Sequence, residues 1–198
     1  MSAFLFRAAL LGSALALAGC TAQPPQARVT RFHLGQPIAR GEIVVEPRDP
    51  AAEKSLEFTV YARAVADELA RVGFRLAPGM AKSELVAVID VSRGTRAMLD
   101  EGSPFSIGIG GGTFGRHVGV GGGVTFPVGK SRTSEIIGTQ LAVQIKRRSD
   151  GTVIWEGRAV SEARSGTPYA DPGAAVQRLA TALFRDFPGE TGRTITVK

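Results

Sequence analysis

Apolar residues recur along this chain with two distinct periods. From residue 58, Phe58, Tyr61, Ala62, Val65, Leu69 and Val72 fall at helical spacing, with Arg63, Asp67, Glu68 and Arg71 assigned to other faces. Ser55 is placed as the N-cap of that helix and Gly73 as its C′ residue. "SELVAVIDVS" alternates with period two and is apolar on nearly both faces, which predicts a strand inside a sheet. "GTQLAVQIKRR" alternates more cleanly. Leu141, Val143 and Ile145 point in; Gln140, Gln144 and Lys146 point out. Asp150-Gly151 then separates it from "TVIWEGRAV" and predicts a two-residue hairpin turn between 139–148 and 152–162.

The ends of the domain read the same way. "RVTRFHL" and "GEIVVEP" are short strands. A second helix starts at Asp171 as cap, with Pro172 at its first position. It carries Val176, Leu179, Ala180, Leu183, Phe184 and Phe187 as one stripe, and Pro188-Gly189 stops it. "TGRTITVK" closes the chain as an edge strand. The expected fold class is α+β: a mainly antiparallel sheet with two helices on one face. A glycine-rich β-hairpin over about 104–130 completes it. There Val118, Val120, Val124, Phe126 and Val128 share one parity while glycines leave much of the other face bare.

The first residues set the address. Arg7 precedes an apolar run, Ala8 to Ala18, too short to span a bilayer and of the length of a secretory signal core. It ends in "LAGC", which resembles the bacterial lipobox and marks residues 1–19 as a signal peptide. The resemblance implies that Cys20 becomes the acylated N-terminus, carrying chains of the palmitate kind. Two or more such chains hold a protein stably on a membrane. Thr21 follows instead of an inner-membrane retention aspartate, so the periplasmic face of the outer membrane is the expected site. Residues 20–28 read as the lipidated terminus and a flexible tether, and 29–198 as a single domain.

Composition then narrows the chemistry. The chain is 43% hydrophobic and 21% charged, as globular chains are. Its single cysteine and two histidines supply neither a disulfide nor a zinc ligand set, so no metal and no cofactor are expected. The net charge of +6 is spread out, with "KRR" at 146–148 the densest block, which points to a solvated surface and not to nucleic acid.

"GGGVTFPVGKS" ends like a phosphate-binding loop, but five residues separate Gly123 from Gly129, Pro127 removes a donor and a strand pattern follows. Gly110, Gly112 and Gly115 match a dinucleotide fingerprint only because the run is so rich in glycine. No nucleotide is therefore expected, and no catalytic residue is assigned. His33 and His117 lie far apart as solvated side chains. Asp90, mid-strand among apolar neighbours, is the carboxylate to inspect for a raised pKa. Trp155 is a core residue.

Together, the lipobox, "RVTRF", "ELARVGFRLA", "SELVAVIDV", the glycine-rich middle, "DGTVIWEGRA" and "LFRDFPG" resemble the bacterial DUF4136 lipoproteins over roughly 29–190. The resemblance implies fold and location without chemistry. The functional expectation is a non-catalytic accessory protein, anchored to the membrane through Cys20, with an envelope protein as partner. A carrier of a lipid or other amphiphile is the alternative, and an enzyme a more distant one.

Overall fold

The computed structural model describes residues 23–77, 83–95 and 135–198. Among these, seven strands form one sheet in the order β3-β2-β4-β5-β6-β1-β7. They are β1 (Ala27–His33), β2 (Glu42–Pro47), β3 (Arg75–Leu76), β4 (Leu85–Thr95), β5 (Ile136–Arg147), β6 (Val153–Arg164) and β7 (Thr194–Val197). Two α-helices accompany them, α1 (Leu56–Arg71) and α2 (Pro172–Phe184). The sheet is mixed. β4, β5, β6, β1 and β7 pair antiparallel, but β2 runs parallel to both β3 and β4. The α+β expectation is met, with that correction to the strand directions. Parallel pairing follows because α1 lies between β2 and β3 and returns the chain in the same sense.

One face of the sheet builds the core. Leu141, Val143, Ile145, Trp155, Ala159 and Val29 are fully buried and pack with Val65, Leu69, Val176, Leu179 and Leu183 from the two helices. Each such side chain contributes roughly 1.5–3 kcal/mol by leaving water. The alternate residues form the opposite face, where Gln144 donates to Glu156 across the strands at 3.2 Å. β4 is interior, as its two-sided apolar pattern predicts.

The caps are where the sequence places them. The Ser55 hydroxyl accepts from the Phe58 amide at 2.9 Å, and Asp171 accepts from the Ala174 amide at 2.8 Å. Gly73 has φ +100° just past α1. Four expectations need correction. Glu68 belongs to the buried face of α1, where its carboxylate accepts from Thr181 at 2.6 Å and from Arg71, joining the helices. α2 ends at Phe184, so Phe187 lies beyond the helix and Pro188-Gly189 is not what stops it. The β5–β6 connection is longer than two residues, and only Gly151 in it has positive φ. Ala27 and Arg28 are already in β1, which shortens the tether at its domain end.

The registers give the sheet two ends. Ala27, Thr95, Ile136 and Arg164 lie at the end where the chain enters; His33, Leu85, Arg147 and Val153 lie at the other. Cys20, residues 1–19, His117, the Gly129-Lys130-Ser131 stretch and the glycine-rich 104–130 fall outside the described residues.

Candidate functional site

A wide groove opens at the far end. After β1, residues 34–41 turn across the sheet end before β2 begins. Leu34, Pro37, Ile38, Leu85 and Ile154 give this groove an apolar lining, and Glu42, Glu84, Arg75 and Arg147 stand around it. Its volume is about 590 Å³, within the range that takes a small ligand or a side-chain cluster. Large apolar residues are exposed beside it. Leu34 is 80% accessible, and Phe32, Leu76 and Val153 are also open to water. Exposed apolar side chains beside a groove with charges at its rim are the form of a contact site, since water leaves them at a gain.

Directly behind that surface lies a closed polar knot. The Arg31 guanidinium is buried and donates to the carbonyls of Leu183 at 2.9 Å, Ala182 at 3.0 Å and Arg185 at 2.8 Å. These are carbonyls that a helix end leaves without partners, so a strand side chain finishes α2. Burial lowers the Arg31 pKa, and the Asp186 carboxylate pushes back. The Trp155 indole N–H donates to Pro188 O at 3.0 Å, in a chain segment where the Phe187–Pro188 peptide is cis. His33 Nδ1 accepts from the Gly35 amide at 3.1 Å, so its Nε2 carries the proton donated to Gly189 O at 2.9 Å. His33 is therefore a fastener, not the solvated side chain expected. Phe184 and Phe187 stack near Trp155, with ring centroids 5.4 and 5.3 Å away.

Asp90 is not enclosed by its apolar neighbours. It is half-exposed and pairs with Arg48 Nε at 3.4 Å beside a small cavity of about 200 Å³. Tyr61 lines the same cavity. Burial, then its 2.6 Å hydrogen bond to Glu57, raises the phenol above its ordinary value. Trp155 is fully buried, as expected. Sequence reading missed Arg31, although it shares parity with Val29 and so belongs to the inward face. It also missed the groove, because "LGQPIARG" has no period to read.

A family model described as a domain of unknown function, DUF4136, matches residues 30–189. The chain belongs to the DUF4136 family. The match runs from β1 through α2 to Gly189, so the knot lies wholly inside the DUF4136 segment. An uncharacterized protein of Zymomonas mobilis is 34% identical over 210 residues, covering 86% of this DUF4136 chain and 79% of that protein. Two solved structures are similar at lower levels. A PelC dodecamer from Paraburkholderia phytofirmans has TM-score 0.37 and 14% identity, covering 79% of this chain and 94% of that one. A PDZ domain protein from Parabacteroides distasonis has TM-score 0.49 and 14% identity, covering 94% of this chain and 42% of that one.

Proposed function

We propose that this DUF4136 protein is lipid-anchored through Cys20 on the periplasmic side of the outer membrane, and that it works by binding another envelope protein, not by chemistry. The observation that supports this best is the polarity of the domain. The chain enters at Ala27, and the exposed apolar surface of Phe32, Leu34, Leu76 and Val153 lies at the opposite end. β1 alone sets the two ends about 20 Å apart at roughly 3.3 Å per residue. A domain held by its entering chain then presents that surface away from its anchor. Exposed apolar side chains with a charged rim suit a protein partner, whose interface core excludes charge and accepts Leu and Phe.

A photo-cross-linking residue at position 34 in intact cells tests the reading, with position 54 at the start of α1 as control. A discrete protein adduct from 34 and none from 54 is the expected result. Equal labelling at both sites, or none at either, counts against it. The anchor is read separately: Cys20→Ser should leave the membrane fraction or keep its signal uncut.

The groove also supports a second reading, a carrier of an amphiphile. Arg75 and Arg147 flank an apolar floor, as an acid-headed ligand would require. Native mass spectrometry of protein taken directly from membranes separates the two, since a carrier should retain a small-molecule adduct.

A further inference from the structure

A second groove of about 480 Å³ runs along the flank of α2, away from the Leu34 surface. The entering residues Pro24 and Pro25 line one part of it, and Arg71, Arg178 and Arg185, with Lys198 beside them, supply its cationic side chains. Among the described residues, no aspartate or glutamate side chain lines it. Glu68 partners Arg71 from within the helix interface, where it is buried. Arg178 is held in place: its guanidinium lies 5.0 Å from the Tyr169 ring centroid, and Nη2 donates to Tyr169 O at 2.7 Å. Its Nε is buried without a hydrogen-bond partner. Arg185 is exposed, and its side chain has no partner among the described residues.

Position gives this cationic flank its meaning. Three residues lie between Cys20 and Pro24, and the four backbone steps, at about 3.3–3.6 Å each, span at most roughly 13–14 Å. A lipidated Cys20 would hold the groove within one to two Debye lengths of the bilayer at physiological salt, each about 8 Å. We infer that the Arg71, Arg178 and Arg185 flank docks on anionic phospholipid headgroups of the membrane that holds Cys20. The guanidinium forks take headgroup phosphates, and Pro24-Pro25 stiffens the short link, so the domain lies in one orientation instead of swinging on its tether. This rests on the lipid-anchor reading of the preceding subsection.

The test uses the mature protein purified from membranes and placed in vesicles of phosphatidylcholine, with or without phosphatidylglycerol. Acylation consumes the only native cysteine, so Gln177→Cys on this flank takes a fluorophore uniquely, and Lys54→Cys serves as control. Quenching by a headgroup-linked quencher should be stronger at 177 than at 54, and only with phosphatidylglycerol. Arg185→Gln should weaken that docking about fivefold, and the three arginine-to-glutamine changes together should abolish it. The Arg185 side chain makes no hydrogen bond or ion pair among the described residues, so circular dichroism of Arg185→Gln should be unchanged and a folding defect is separable.

Equal quenching at both sites, or no dependence on phosphatidylglycerol or on the arginines, overturns the inference. If the protein proves unacylated and does not float with pure phosphatidylcholine, the anchor reading fails, and the same samples still decide the flank. Arginine-dependent flotation with phosphatidylglycerol then upholds it, and no flotation overturns it.

Discussion

On β6, Trp155 points toward the helices, while Ile154 lines the groove at the sheet end. These neighbours belong to two apolar regions treated in opposite ways. Around Trp155, Arg31 donates to carbonyls of the last turn of α2 and of Arg185 just past it, and His33 Nε2 and the indole donate to carbonyls of the segment after that helix. Around Ile154, Leu34 and Phe32 stand in water with charges at the rim. The contrast shows what the family motifs are for. "TVIWEGRA" and "FPG" meet in the knot, so the most recognisable residues of the chain hold the strand layer to the end of α2. At the exposed end, Phe32, Leu76 and Val153 belong to the same set of motifs, and Leu34 lies outside them.

The sharpest way to break the knot is Arg31→Met. The side chain keeps its length and loses its donors, leaving the carbonyls of Ala182, Leu183 and Arg185 without the guanidinium. A buried group left unpaired costs about 1–3 kcal/mol, and with several affected the loss should reach about 3 kcal/mol or more. Urea denaturation of the purified variant measures it. A midpoint close to that of the unaltered protein would mean that α2 ends there for another reason.

Gly157→Ala probes the other half of the same region. A Cβ at Gly157 would lie 2.4 Å from the Trp155 ring and 2.8 Å from Leu183 Cδ1. The tryptophan lies across its same-face neighbour two residues on, which is why the motif reads Trp-Glu-Gly. Overpacking of this kind costs about 1–3 kcal/mol. A thermal melt should fall accordingly, with the near-ultraviolet signal of the one tryptophan changed as the ring shifts. An unchanged melt would show that the ring has room to move.

How much of this was legible follows from what each signal encodes. Alternation in "GTQLAVQIKRR" gave the correct inward set, because a sheet covered on one face imposes period two on every strand. Ser55 and Asp171 were readable because caps act within three residues of themselves. The parallel sense of β2 was not, since an alternating strand pattern carries no direction. Arg31 was missed because its carbonyl partners lie some 150 positions away. For the same reason α2 was drawn too long: Phe187 continues the apolar stripe, but it reaches the core from outside the helix. The groove lining comes from residues 34–41, from Ser83 and Glu84, and from five separate strands, which no local pattern unites.

Leu34→Asp tests the other side of the comparison and should cost the fold least. Leu34 is exposed, outside the strands, and touches none of the knot's hydrogen bonds, so stability should stay within about 0.5 kcal/mol of the unaltered protein. Its effect should fall on binding instead. A carboxylate in the middle of an apolar contact must lose its water when a partner docks, and nothing on the groove floor replaces that water. Cross-linking from position 38, which lines the same groove, should therefore lose its protein adduct in the Leu34→Asp background while the melting curve holds. If the adduct persists, the partner sits elsewhere on the domain. If the melt falls as far as for Gly157→Ala, the exposed end is part of the core after all, and the two regions differ in degree and not in kind.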